Sequence, residues 1–287
     1  MLSPARHLVQ QRSMLASLGG VALDTLRESL RPTRAEPVVP GPEVAQRVAA
    51  PTDALVDDFL RHIVADWAGD ARRLPPQLFP QWGLPVALRA LRGSGLPLAK
   101  MLNGGCRLEQ RAPLVRGQAL QVSARLSSVS SDERRRVVVT RIVTEQAEAP
   151  QALVADLYGI IRLTRSRSGA QQQEPIPPAA RKLEAWRLGS DAGLRFALLT
   201  GDFNPLHWLG PYARALGFSG KLLHGFAAMA RAHATLERVV GPLRLLDVRF
   251  VRPITLPAEL SLYVAGERVF VGSAGEPPYL SGSFGCD

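Results

Sequence analysis

One order of patterns, helical stretches followed by strand-like runs, occurs twice in this chain, and that repetition constrains its fold more than any single motif. In the first half a helical pattern covers Asp53 to Trp67, with Thr52 or Asp53 able to cap it. After the proline-rich Leu74 to Pro80 comes Gly83 to Leu102, mostly helical in pattern but interrupted by Pro85, Gly93, Gly95 and Pro97. Strand-like runs then follow at Cys106 to Leu114, Gln118 to Val129, Val137 to Glu145 and Ala152 to Leu163. In the second half a helix-like Ser190 to Leu199 and an apolar helix from about His224 to Val240 lead into Leu243 to Pro253, Glu259 to Ala265, Arg268 to Gly272 and Tyr279 to Phe284. Val137-Val138-Val139 and Ile160-Ile161 carry the β-branched enrichment of strands. Arg107 to Leu114 (RLEQRAPL) also matches Leu246 to Ile254 (LDVRFVRPI) in pattern, as a diverged internal duplication would. The expectation is an α+β fold: two units side by side, each a helix followed by a curved antiparallel sheet.

Boundaries follow from composition. Residues 1–45 read as an N-terminal extension, with a short amphipathic helix over 13–30 and a proline-rich Arg31 to Pro42. Residues 46–165 form the first unit and 183–287 the second. Between them 166–182 lacks any hydrophobic period and reads as a linker.

Apolar residues make up 46% and charged residues 21% of the 287, ample for a core. No apolar run approaches the roughly 20 residues needed to span a bilayer. The first residues contain arginines and no acid before Asp24, but no continuous apolar core of a secretory signal, so the expected location is cytoplasmic. Cys106 and Cys286 have no metal-type spacing and read as free thiols. The formal charge of +10 favours polyanions. Its one local cluster, Arg134-Arg135-Arg136, looks like a hairpin tip without interleaved aromatics, so a solvated surface is preferred over nucleic-acid binding.

The chemistry is concentrated in Thr200-Gly201-Asp202-Phe203-Asn204-Pro205-Leu206-His207, followed by Gly217-Phe218 and His224-Gly225-Phe226. Pro205 disfavours helix at Asn204, so Asp202 to His207 is expected to be a turn that brings a carboxylate and an imidazole to one side. Pro211 suits the start of a short helix, Tyr212 to Leu216, and Gly217 its end. A helix beginning near His224-Gly225 presents backbone N–H groups without intrahelical acceptors, and Gly225 has no Cβ to keep a ligand away from them. A base, an acid and an oxyanion donor suit the addition of water across a double bond conjugated to a carbonyl. Taken alone, Asp202 and Asn204 would be ordinary turn residues and His207 a loop histidine.

GDFNPLH with the downstream GF and HG resembles the MaoC-like, or hydratase 2, family of (R)-specific enoyl-thioester hydratases and 3-hydroxyacyl-thioester dehydratases. The resemblance covers residues 196–254, including Val248-Arg249-Phe250-Val251-Arg252-Pro253, and more weakly 53–163. It implies a double hotdog, each a long central helix wrapped by an antiparallel sheet, with only the second catalytic. It also implies a hydro-lyase of fatty-acid metabolism that needs no metal or redox cofactor. In that reading Asp202 orients and deprotonates water, and His207 exchanges a proton with the α-carbon or shares that task through the same water. Gly225 N–H binds the thioester oxygen, and Asn204 holds the turn or helps position water. The first hotdog, with Pro80-Gln81-Trp82-Gly83 near the corresponding place, would shape the acyl tunnel. His224 is expected to be structural, a helix cap, and His7, His62 and His233 surface or packing residues. The implied substrate is an acyl thioester of CoA or acyl carrier protein, with a homodimer as one arrangement of the chains. Arg214, Arg249, Arg252 and Lys221 are candidates for phosphate contacts. Two departures from the family pattern are Leu209, where many relatives carry an acid, and Lys221, where they often carry proline or a small residue. A hotdog thioesterase and a non-catalytic acyl-binding or partner subunit are the competing readings.

Overall fold

The computed structural model describes residues 4–20, 36–64, 70–163 and 174–286. The chain runs through a 3₁₀ segment Pro4–Gln11 and helix α1 (residues 12–20), then β1 Val44–Val48, α2 Asp53–Ile63 and α3 Pro80–Leu91. Four strands complete the first unit: β2 Leu102–Gln110, β3 Leu120–Ser131, β4 Arg135–Gln146 and β5 Ala149–Arg162. The second repeats the order, with β6 Arg181–Leu188, α4 Ala192–Thr200, the short α5 Gly210–Ala215 and α6 Gly225–Val240. It closes with β7 Leu243–Phe250, β8 Ala258–Ala265, β9 Arg268–Gly272 and β10 Leu280–Cys286. Among the described residues no helix is long and apolar enough to cross a membrane.

All ten strands belong to one antiparallel sheet in the order β1-β3-β4-β5-β2-β7-β10-β9-β8-β6. Read inward from either edge, each half places its first, third, fourth, fifth and second strands in succession. The duplication expected from sequence is therefore present in topology, and the fold is the expected double hotdog. The two sheets are fused, not merely adjacent, because β2 pairs with β7 through Cys106↔Val248 and Leu108↔Leu246.

Alternation along the strands explains the packing. In β3, Leu120, Val122, Ala124 and Leu126 point inward, while Gln121 and Arg125 face water. One continuous core joins the units, with Phe59, Phe79, Trp82, Phe196 and Phe226 all buried. Burying a side chain of that size contributes about 1.5–3 kcal/mol. Phe79 of the first unit meets Phe226 of the second edge-on, their centroids 5.5 Å apart.

Three boundaries differ from the expectation. Each unit begins with a strand, β1 or β6, ahead of its helices, so β1 starts within the segment assigned to the extension and β6 within the linker. Helix α3 starts at Pro80, where proline suits a first turn, and it accommodates Pro85 internally. The stretch Leu98–Lys100 is a separate 3₁₀ turn, so the helical pattern to Leu102 was too long. The far end of the expected 13–30 helix, Trp67 and residues 166–173 of the expected linker lie outside the described residues. Arg134 does stand at a hairpin tip, with the Asp132 carboxylate accepting from the Arg134 and Arg135 N–H groups. Cys106 and Cys286 are free thiols.

The N-terminal residues are docked against the body of the protein. His7, Gln11, Met14 and Ser17 are all buried. The Gln11 amide donates to the Leu198 and Leu199 carbonyls at the end of α4, and Ser17 donates to Pro85 O. His7 Nε2 lies 2.7 Å from Asp58 Oδ2. Burial pushes the Asp58 carboxyl up, but hydrogen bonds from His7, Arg61 and Arg6 outweigh it and hold the group at about 2.

Candidate active site

The site is built where α4 ends. Gly201 closes that helix in the left-handed conformation (φ 82°), its N–H donating to Ala197 O. A Cβ at this position would sit 2.9 Å from Gln11 Oε1 and 3.0 Å from Met14 Cβ, so the docked N-terminal segment packs directly on the residue preceding Asp202. Asn204 then accepts from Leu206 N–H at 3.2 Å and caps the single turn Pro205–His207. This is the turn that Pro205 implies.

The turn places His207 against the strand-like segment before α6. Its Nδ1 lies 2.9 Å from Leu222 O, while Leu222 N–H donates to Leu206 O at 3.0 Å. A carbonyl can only accept, so Nδ1 carries the hydrogen and Nε2 holds the free lone pair. Burial pushes the His207 imidazole below its ordinary value, partly offset by the Asp202 carboxylate and the Leu222 carbonyl. It is a neutral imidazole with a committed tautomer.

His224 stands beside it. The two rings stack with centroids 3.5 Å apart and planes at 24°. His224 is 1% exposed and also packs on Phe196. Its Nε2 donates to the Asp202 main-chain carbonyl at 2.9 Å and lies 3.9 Å from the Asp202 carboxylate. Burial and the neighbouring His207 push it down to about 3, against the pull of Asp202. His224 does occupy the N-cap position of α6, but its side chain makes no capping bond. Instead it fixes the backbone of Asp202 across the site, a role the sequence did not reveal.

Gly225 opens α6, and its neighbours dictate its identity. A Cβ there would lie 2.3 Å from Phe250 Cδ2, so the ring of β7 occupies the space any other side chain would need. The Gly225 and Phe226 N–H groups have no acceptor within the helix and sit at its positive end, whereas Ala227 and Ala228 N–H donate to His224 O. The site thus assembles a carboxylate, a neutral imidazole and an electropositive helix start on neighbouring segments. Ligand atoms of Asp202, His207 and His224 all lie within 4.8 Å of one another, making this the group that could hold a cation among the described residues.

The first unit shows the same scaffold with different chemistry. Arg73 bridges to Val115 as Leu222 bridges to Thr255. Leu74 N–H donates to Leu114 O at 2.8 Å, as Leu223 N–H donates to Ile254 O at 2.8 Å. Arg116 N–H to Arg72 O likewise matches Leu256 N–H to Lys221 O. That register puts Pro75-Pro76 at the place of His224-Gly225, and a proline has no N–H to donate. Pro80-Gln81-Trp82-Gly83, expected near the corresponding place, instead form the first turn of α3, with Trp82 donating to Thr144 in the core.

The remaining candidates separate clearly. Arg249 lies over the Tyr158 ring at 3.7 Å and bonds to Asp247, and Arg252 lies over Tyr279 and bonds to the Pro277 carbonyl. Both are committed within the fold. Arg214 and Lys221 instead converge beside Gly210. His233 is buried against Glu237, and His62 is pushed to about 3 by burial and by Arg231 and Arg195.

A family model described as "MaoC like domain" matches residues 170–272, which carry every element of this site. Residues 170–272 are a MaoC-like domain. The chain is 25% identical over 189 residues to 3-hydroxyacyl-thioester dehydratase X of Mycobacterium tuberculosis, a match covering 63% of this chain and 66% of that relative. Crystallographic HtdX of Mycobacterium tuberculosis superposes with a TM-score of 0.69 at 20% identity, covering 85% of this chain and 99% of that one. Another protein of that organism, described as having a double hotdog fold, gives 0.55 at 13% identity over 86% of this chain and 96% of its own. The likeness to these solved structures shows the fold, and it covers both units.

Proposed function

We propose that this protein is a hydro-lyase that hydrates trans-2-enoyl thioesters to (R)-3-hydroxyacyl thioesters and catalyses the reverse dehydration. The observation that carries the reading is the convergence of Asp202 and the free Nε2 face of His207 beside the first turn of α6. In hydration, Asp202 holds a water molecule and takes one of its protons as the oxygen bonds to C3. The electrons of the double bond move onto the thioester oxygen, where Gly225 N–H receives the charge. The proton lifted from that water passes to the free Nε2 lone pair of His207, which hands it to C2 directly or through water. Asp202 thus ends as a carboxylate and His207 as a neutral imidazole, and Asn204 holds the turn that aims both groups. General acid–base groups of this kind contribute about 10²–10⁴ each, and one oxyanion donor roughly 10²–10³.

Pro76 at the matching place supports a first unit that binds the substrate without reacting. The mechanism requires no metal, so turnover should be unaffected by a chelator; loss of activity that zinc or magnesium restores would contradict it. The direct assay follows crotonyl-CoA as its enoyl absorbance is lost. A thiol-reactive dye read in parallel separates hydration from thioester cleavage, because free thiol appears only in the latter.

A further inference from the structure

The described N-terminal residues touch helices of both units. Arg6 and His7 reach the Asp58 carboxylate of α2, and Gln10 Nε2 donates to the hydroxyl of Thr52, the N-cap of that helix. Ser17 donates to Pro85 O inside α3. Gln11, only 1% exposed, reaches instead into the second unit, where its Nε2 lies 3.2 Å from Leu198 O and 3.0 Å from Leu199 O. The segment therefore straps the last turn of α4 to the helices of the first unit.

Those two carbonyls stand at a helix end, where backbone acceptors lack intrahelical donors. The chain just beyond α4 donates elsewhere: Gly201 N–H to Ala197 O, and Phe203 N–H to Gly201 O. Leu199 is fully buried, so water is a poor substitute at its carbonyl. The two acceptors also fix the orientation of the amide, because only its NH₂ end can donate to both. Gln11 Oε1 is thereby turned towards Gly201, 2.9 Å from where a Cβ would stand, and has no hydrogen-bond partner among the described residues. A buried amide with one end unsatisfied is a costly way to fill space, and what it supplies here is the tie to α4.

Resting on the function proposed above, we propose that Gln11 is a positioning residue for Asp202. Asp202 follows Gly201 directly, and its backbone is held from two sides. Downstream, His224 Nε2 donates to Asp202 O at 2.9 Å. Upstream, Gln11 fixes the helix end from which the residue emerges. His207 has a separate anchor in Leu222 O, on the segment before α6. The relation between carboxylate and imidazole therefore depends on where α4 ends, and Gln11 sets that end against the frame of the first unit. A misplacement of about 1 Å at reacting groups costs roughly 10² in rate. The first unit thereby acts on the reaction through this strap, without its own groups touching the reacting atoms.

The test uses the full chain. Gln11→Met keeps the length and burial of the side chain but has no donor, and Gln11→Ala is read in the same way as a second removal of that donor. Ser17→Ala is the control, since it removes a docking bond of the same segment to α3 and leaves α4 untouched. Crotonyl-CoA kinetics, the thermal midpoint and hydrogen exchange by mass spectrometry are measured for each. Both Gln11 variants should lower kcat by about 10- to 10²-fold with KM within about twofold of the wild type. Amides of residues 201–207 should exchange faster in them, while peptides from β4 and β5 stay unchanged. Ser17→Ala should keep the wild-type kcat whatever its thermal midpoint. Unchanged exchange over 201–207 in the Gln11 variants overturns the proposal, and so does a wild-type kcat. A loss of rate that Ser17→Ala shares in step with the thermal midpoint also overturns it, because docking alone would then be the cause. A wild type that hydrates no crotonyl-CoA refutes the reaction, and faster exchange confined to 201–207 would still leave the tie to Asp202 standing.

Discussion

Pro76 occupies in the first unit the place that Gly225 holds in the second, fixed by the matched bridges Arg73↔Val115 and Leu222↔Thr255. One position carries a free N–H and the other carries none. Gly225→Ala keeps the N–H but drives a methyl group into Phe250. The displaced donor should lower kcat by about 10²–10³. Adding Phe250→Ala should recover part of that loss. Hydration rates of the single and double variants check both statements.

Gly201 links the N-terminal segment to the Asp202–His207 turn. Gly201→Ala forces a Cβ into a left-handed position and against Gln11 and Met14. The backbone strain alone costs about 1–2 kcal/mol. The thermal midpoint should fall, and kcat should fall more than KM rises because Asp202 is the next residue. Trimming the opposing side chain with Met14→Ala should leave the Gly201 backbone unstrained and affect kcat less.

The histidines set the acid side of the pH behaviour. His224 is neutral in the fold, its value lowered from 6.5 to about 3, so the unfolded chain takes up a proton first as pH falls. Its contribution to stability is complete above about 6.5 and is lost progressively as pH falls towards 3. His62 acts in the same direction over the same window. His224→Gln should therefore flatten the decline in stability below pH 6.5, measured by urea unfolding across pH. His207 is also lowered, and Asp202→Asn removes a charge that favours its protonated form. Its NMR titration should move to still lower pH in that variant.

Asn204 is exposed, yet it caps the turn by accepting from Leu206 N–H. Asn204→Ala should cost about 0.5–2 kcal/mol of local stability. Because the cap sits between Asp202 and His207, kcat should drop with KM little changed, while Asn204→Asp should retain most of the rate. Steady-state kinetics of the two variants would expose a role confined to stability.

The Asp202–His207 turn was legible because proline and glycine dictate local geometry: Pro205 fixes the turn and Gly225 the helix start. The duplicated order was legible in the inner strands, whose β-branched residues alternate or cluster. The edge strands were not. β6 carries Arg181, Lys182, Glu184 and Arg187, and β1 carries Gln46 and Arg47. Such charges protect an exposed edge from further pairing and erase the hydrophobic pattern a reader looks for. The stacking of His207 on His224 was also hidden, since nothing local predicts that a residue at an N-cap will reach back to a carbonyl 22 residues earlier. The docking of Gln11 and Met14 on α4 and Gly201 was equally out of reach, being a contact between segments nearly 190 residues apart.

The central claim is that Asp202 and His207 together carry water addition to an enoyl thioester. The most direct measurement is the rate of crotonyl-CoA hydration by the wild type, Asp202→Asn and His207→Ala, each checked for an unchanged circular dichroism spectrum. The account predicts loss of enoyl absorbance with the wild type, formation of the (R)-3-hydroxy product, and a fall of at least about 10² in kcat for each variant. Folded variants that hydrate crotonyl-CoA at the wild-type rate would contradict it.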